Sequence, residues 1–272
     1  MRKLIVIFTV TIFFISCKNN NEPALPIEEK KPDWALAWSD EFDYKGLPDS
    51  SKWAYDTGGH GWGNNELQFY TKARTENANV DSGLLTISAI KESYQGSNYT
   101  SARLITKGKA DWLYGRVEVK AKLPRGKGLW PAIWMMTEDK SYGGWPRTGE
   151  IDIMEHVGYS PDSIFGTVHT KAYNHTIGTQ KTKGIVRKDV ASAFHVYAME
   201  WTDKKISLFV DDEQYFEFKN EGTGVDAWPF DKKFFLLLNI AVGGNWGGKM
   251  GIDETVFPQA MQVDYVRVYQ AK

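Results

Sequence analysis

Thiols are nearly absent from this chain of 272 residues. Cys17 is its one cysteine, so no disulfide can form within it and packing alone must hold the fold. Charge of one sign is missing too. Lys and Arg number 33 against 34 Asp and Glu, a net charge of −1, which excludes the electrostatic footprint of a nucleic-acid binder. No segment carries a long apolar stripe of 3.6-residue period, which argues against a helical body. The apolar run at residues 4–15 is short of the roughly 20 residues that a membrane-crossing helix needs. The five histidines fall at no metal-ligand spacing, so no catalytic metal or other cofactor is expected. There is no internal repeat and no second shift of composition beyond the N-terminal region. One body is expected, over residues 33–272.

Strand patterns are abundant. In VEVKAKL (117–123), Val117, Val119, Ala121 and Leu123 alternate with Glu118, Lys120 and Lys122, the pattern of a sheet with one buried face. ISLFV and YFEF flank DDEQ (211–214) and predict a hairpin. FFLLLNIAV (234–242) is a continuous apolar run suited to a central strand, and FHVYAMEW and MQVDYVRVY add two more. With 25 Gly and 10 Pro as punctuation, many short strands imply an all-β sandwich or jelly roll.

GEIDIMEH (149–156) places Glu150, Asp152 and Glu155 within six positions. Glu150 and Asp152 share a strand face, opposite Ile151 and Ile153, whereas strict alternation sends Glu155 to the other side. A β-bulge taken up near Met154 returns Glu155 to the acid face. Adjacent carboxylates raise one another's pKa, and glycoside hydrolysis uses such a pair: one attacks while the other stays protonated. Retention needs them about 5–5.5 Å apart, whereas four extended steps cover about 13 Å; strand curvature and inward-leaning side chains have to close the gap. A solvated strand face with a chance acid cluster fits the spacing equally well.

The neighbouring aromatics favour the sugar chemistry. Trp130 and Trp134 lie in GLWPAIWMM just before the acids. HGWGNNELQFY (60–70) sets Trp62, Asn64, Asn65 and Glu66 in a glycine-rich loop, and VGGNWGG (242–248) sets Asn245 and Trp246 in another. Trp38 and Trp53 suit the core; a tryptophan between glycines suits a stacking surface.

GEIDIMEHVG resembles the E-x-D-x-x-E signature of glycoside hydrolase family 16 in its bulged form. SDEF (39–42), NNELQFYT (64–71), WPAIWMM, FHVYAMEW, LNIAVGGNW and VDYVRVY extend the likeness over nearly the whole body, closest to the laminarinase branch of endo-β-1,3-glucanases. The resemblance implies a jelly roll of two antiparallel sheets with a concave glycan-binding cleft. It implies Glu150 as nucleophile, Glu155 as general acid/base and Asp152 as the residue that tunes them. Trp130, Trp134 and Trp246 become stacking residues, and Asn65, Glu66 and Arg103 hydrogen-bonding partners of sugar hydroxyls; His169 (in GTVHT) is expected on a neighbouring strand near the acids, as a substrate contact or as a structural histidine. A structural calcium is implied at Glu41, Asp264 and the Gly83 carbonyl, and a polysaccharide as the partner of a monomer. The same chemistry on mixed-linkage β-glucan, agar or carrageenan is the alternative, and a non-catalytic glycan-binding protein is a third reading. Chain-length preference would rest on loops at 136–148 and 171–189.

The N-terminus fits export. Arg2 and Lys3 precede the apolar run, and the FISC run resembles a bacterial lipobox cut before Cys17, which is then lipidated. Residues 1–17 are therefore expected to be a lipoprotein signal and 18–32 a flexible tether. An outer-membrane or cell-surface lipoprotein is the expectation, a secreted or periplasmic protein the alternative, since Phe14 stands where Leu is usual.

Overall fold

Val117, Val119, Ala121 and Leu123 are buried while Glu118, Lys120 and Lys122 reach the surface, as the alternation requires. In the computed structural model, which describes residues 33–272, this segment is one of seventeen strands in two layers. In chain order the first are β1 (Trp34–Asp40), β2 (Ala54–Asp56), β3 (Gln68–Tyr70), β4 (Ala78–Asp81), β5 (Leu84–Tyr94) and β6 (Ser97–Ser101). Then come β7 (Arg103–Ile105), β8 (Gly115–Lys122), β9 (Leu129–Met136), β10 (Glu150–Glu155), β11 (Ser163–His169) and β12 (Lys181–Val186). The last are β13 (His195–Trp201), β14 (Lys205–Val210), β15 (Glu213–Lys219), β16 (Phe235–Val242) and β17 (Gln259–Ala271). The expected signal and tether, with Cys17, lie outside the described residues.

One sheet runs β12-β11-β10-β9-β16-β7-β2, antiparallel throughout. The other runs β15-β14-β13-β8-β17-β5-β6-β3, with β1 beside β17 and β4 beside β5. Among the described strands β3–β6 is its one parallel pair. This is the jelly-roll sandwich that the strand patterns predict. The run at 234–242 is apolar throughout because β16 is covered on both faces. Leu236, Leu238, Ile240 and Val242 join the core between the layers. Phe235 and Leu237 pack on the opposite face with Ile105, Trp134 and Met136. Trp53 is buried; Trp38 packs edge-on against it and against Trp112, with ring centroids 5.8 and 5.5 Å away.

Two sequence expectations need adjustment. The hairpin turn is only Asp211 and Asp212, both at positive φ (49° and 67°), while Glu213 and Gln214 already belong to β15. A two-residue turn of this hand matches the twist of the flanking strands, and aspartate tolerates the left-handed region. The stretch 171–189 is not loop throughout, since β12 lies inside it.

The bulge in β10 lies where the acid spacing predicts it. Asp152 pairs with Trp134, but Met154 pairs with the next β9 residue, Ile133, so Ile153 is extra. Against β11, Ile153 and Met154 together face only Gly166. Ile151, Ile153 and Met154 are all buried in the core, so Glu155 is turned back to the side of Glu150 and Asp152. A bulge leaves a carbonyl without its ladder partner, and here the other layer supplies one: Tyr215 of β15 donates its hydroxyl to Ile153 O at 2.6 Å. Gly166 makes room for this contact. A Cβ there would lie 2.4 Å from Leu208 Cδ1 and 2.7 Å from Tyr215 Oη. Tyr215→Phe leaves that buried carbonyl unpaired and is expected to destabilise the protein by about 1–3 kcal/mol; equilibrium urea unfolding checks it, and an unchanged midpoint would contradict this role.

Candidate active site

One face of β9, β10 and β16 carries the cleft. Its side chains alternate with core residues: Trp130, Ala132, Trp134 and Met136 from β9, Asn239 and Ala241 from β16, and the three acids from β10. The cavity measures about 480 Å³, within the usual range for a small-molecule or oligosaccharide site. Register brings His169 of β11 directly opposite Glu150.

Each acid has its own setting. Trp145 donates its indole N–H to Glu150 Oε2 at 2.8 Å. Trp130 donates to Glu155 Oε1 at 3.0 Å. Asp152 lies between them with a 4% exposed side chain, its Oδ2 3.4 Å from His169 Nε2 and without a hydrogen-bond partner. Burial raises all three above the ordinary carboxylate range. Glu150 is pushed up to about 7 by burial, held back by the Trp145 hydrogen bond, the charge of Arg103 and a hydrogen bond from Asp152. Glu155 is pushed up to about 8 by burial and then by the charge of Glu150, against hydrogen bonds from Trp130 and Thr167. Asp152 goes well above its usual range, through burial first and then the charges of Glu150 and Glu155. The three acids therefore share protons near neutral pH, and Asp152, held well above its usual range, keeps one to donate to Glu150. Burial also drives His169 down to about 4, so it is neutral near pH 7.

A polar chain underlies the aromatic wall. Trp134 Nε1 donates to Asn239 Oδ1 at 2.7 Å, Asn239 Nδ2 donates to Tyr70 Oη at 2.9 Å, and Tyr70 donates to Glu66 Oε2 at 3.3 Å. Gln68 Nε2 also donates to Glu66 Oε2, at 2.7 Å. Burial raises the pKa of Glu66, opposed by these hydrogen bonds and by Arg103. The Arg103 guanidinium lies between two indoles, 4.7 Å from the Trp62 centroid and 4.5 Å from that of Trp134, with Nε 3.0 Å from Asp56 Oδ2.

The profile of the glycosyl hydrolases family 16 matches residues 65–267. The chain belongs to this family. A β-glucanase of Rhodothermus marinus is 58% identical over 249 residues, covering 89% of this chain and 87% of that protein. The X-ray structure of the Rhodothermus marinus laminarinase matches with a TM-score of 0.88 at 57% identity, over 89% of this chain and 100% of that one. SCLam, a non-specific endo-β-1,3(4)-glucanase of family 16, matches with a TM-score of 0.85 at 50% identity, over 88% of this chain and 92% of that one.

Within this family 16 hydrolase, Glu66, Arg103, Trp130, Trp134 and the three acids line one cleft. Three sequence candidates sit elsewhere. Asn65 bridges two loops by donating to Asn245 Oδ1 at 2.8 Å. Trp246 backs the cleft wall, edge-on to Trp130 at 5.4 Å and to Phe165 at 5.2 Å. His169 lies behind the acids with only 8% of its side chain exposed. Sequence reasoning missed Trp145, His175 and Asn239. Trp145 carried the same signal as the other loop tryptophans, since it follows two glycines. Asn239 is the one polar residue in 234–242. His175 carried no local signal; its ring lies tilted against that of Trp145, centroids 5.1 Å apart.

Of the implied calcium ligands, Glu41 follows Asp40, which pairs with Val266, and Asp264 follows Val263, which pairs with Leu85, so the segments that carry Glu41, Gly83 and Asp264 meet where β5 leaves β17 and β1 takes over. An all-oxygen donor set suits calcium. Both carboxylates hold cations of the chain: Arg267 donates to Glu41 at 3.0 and 2.8 Å, and Lys120 lies 2.6 Å from Asp264. Calcium there has to displace both.

The raised acids set a pH expectation. Glu150 must be ionised to attack and Glu155 protonated to donate, so kcat/KM should rise as the first loses its proton and fall as the second does. The coupled pair is expected to show apparent values near 7 and 8. A pH–rate profile with its maximum at pH 4–5, the range of unperturbed carboxylates, would contradict this.

Proposed function

We propose that the chain is a retaining endo-glycoside hydrolase that cleaves β-1,3-glucan. The supporting observation is the bulged strand itself, which sets Glu150 and Glu155 on one face under an aromatic cleft, each carboxylate held through one oxygen by its own indole N–H. In the first step Glu150 attacks the anomeric carbon. The glycosidic bond breaks and its oxygen takes the proton of Glu155, leaving a glycosyl-enzyme ester. Glu155, now ionised, takes a proton from water, whose oxygen attacks the same carbon and releases Glu150; two inversions give net retention.

A neutral glucan fits the cleft better than a sulfated galactan. Arg103 is the one Lys or Arg lining the cavity among the described residues, and its charge is met by Asp56 and covered by two indoles. Mixed-linkage β-glucan is the second reading, favoured by the likeness to a non-specific endo-β-1,3(4)-glucanase. The presence of both glutamates speaks against a purely binding protein. Reducing-sugar release from linear β-1,3-glucan, mixed-linkage glucan, agarose and carrageenan tests the reading. Release from β-1,3-glucan is expected; release from agarose or carrageenan alone would overturn the substrate.

The lipid anchor on Cys17, export to the outer membrane or cell surface, and a monomeric state belong to the same proposal, supported by the N-terminal sequence pattern and by a site complete within one chain. Calcium at Glu41, Gly83 and Asp264 is proposed on register and donor chemistry. At about 100 times its Kd the ion adds about 2.7 kcal/mol, so a melting temperature about 5–10 °C higher than in chelator is expected. Identical melting curves with and without calcium would exclude it.

A further inference from the structure

Two buried side chains, Asp152 and His169, converge on the nucleophile Glu150. Trp145 ties up Glu150 Oε2, leaving Oε1 turned toward His169 Nε2 at 3.9 Å. Asp152 Oδ2, a buried atom with no hydrogen-bond partner, lies 3.4 Å from the same nitrogen. One ligand atom from each of the three residues fits within 4.8 Å of the others. We propose that Glu150, Asp152 and His169 form a binding site for a divalent ion of the zinc or copper class, and that the ion inhibits by occupying the nucleophile.

The geometry suits such an ion. Metal–ligand bonds of about 2.0–2.2 Å in a tetrahedron separate the donors by about 3.3–3.6 Å. The Asp152–His169 edge already has that length, and the longer edges close with a shift of about an ångström, within the reach of side-chain rotation. One imidazole with two carboxylates selects zinc or copper over magnesium or calcium, which prefer oxygen alone. The open cleft leaves positions for water. His169 is held by packing, its ring 5.1 Å from that of His175 and 6.0 Å from that of Trp145. Its Nδ1 has no hydrogen-bond partner. A ligating histidine usually donates that second N–H to an acceptor, so the site is moderate rather than tight, filled by added ion and emptied by a chelator.

The inference builds on the catalytic reading but is tested without it. The described body, residues 33–272, forms one compact unit, and the solved laminarinase is matched over its full length by 89% of this chain, so the body serves as the sample. Calorimetric titration with zinc is expected to show one ion per chain, bound at least about tenfold more weakly in His169→Asn and in Asp152→Asn. Melting curves confirm that each variant is folded. Magnesium should give no binding heat at the same concentration. His195 stands between Asp189 and Asp211, and His195→Asn should leave zinc binding unchanged. With β-1,3-glucan, zinc should raise the apparent KM and leave kcat unchanged, and chelator should reverse it. No zinc binding, equal binding by folded His169→Asn, or loss of binding in His195→Asn overturns the site. Binding without competition overturns the inhibitory role. If no glucan is cleaved, calorimetry still reads the site, so the two failures are distinct.

Discussion

Glu150→Gln is expected to lower kcat on β-1,3-glucan by about 10⁴-fold or more, because the amide cannot form the glycosyl ester and nothing nearby replaces it. Asp152 does not substitute, since it is buried, holds its proton well above the usual carboxylate range, and sits against His169. Substrate binding should survive, since the aromatic wall is untouched. A second variant separates loss of the nucleophile from misfolding. In Glu150→Ala, azide should restore turnover by attacking the anomeric carbon from the vacated side while Glu155 protonates the leaving oxygen. The product is then the α-glycosyl azide, visible by proton NMR. Wild-type-like rates in Glu150→Gln, or a β-azide from Glu150→Ala, would refute the assignment.

Glu155→Gln is expected to cost about 10²–10⁴-fold on glucan while sparing substrates that need no acid. An aryl β-glucoside with a good leaving group should still form the ester, then stall, giving a burst followed by slow turnover. Azide should relieve the stall and yield the β-configured product, because it attacks the ester rather than the substrate. The alkaline limb of the pH profile should vanish, since Glu155 is the group whose proton is lost there. A variant with that limb intact would assign the acid elsewhere. Glu150→Gln adds a cross-check. The charge of Glu150 is the second cause of the high value at Glu155, so removing it should move the Glu155 titration down.

Reading the acids from sequence worked because their information is local. A strand alternates with period two whatever surrounds it. The three apolar residues between and beside the acids already required an extra residue if all three carboxylates were to share a face, and Ile153 is that residue, opposite Gly166. The core strands were legible for the same reason, and β16 stood out as central because both of its faces are apolar. The hairpin was read two residues too wide, since Glu213 and Gln214 look like turn residues but lie on an exposed edge strand, where polar side chains meet no penalty.

The contacts that tune the acids are not local. Asn239 reaches Tyr70 from 169 positions away and Asn65 reaches Asn245 from 180. Tyr215 crosses the whole sandwich to the carbonyl freed by the bulge. Arg103 looks like a free cation in the sequence, and only the fold places Asp56 and two indoles around it. Sequence alone thus determined the layered all-β architecture, the place of the bulge and the side the acids take, because those follow from spacing along one strand. Tertiary structure decided that burial raises all three acids, which indole binds which oxygen, and that the cleft carries no unmatched positive charge. Burial and hydrogen bonding depend on distances between segments, and no spacing along the chain encodes them.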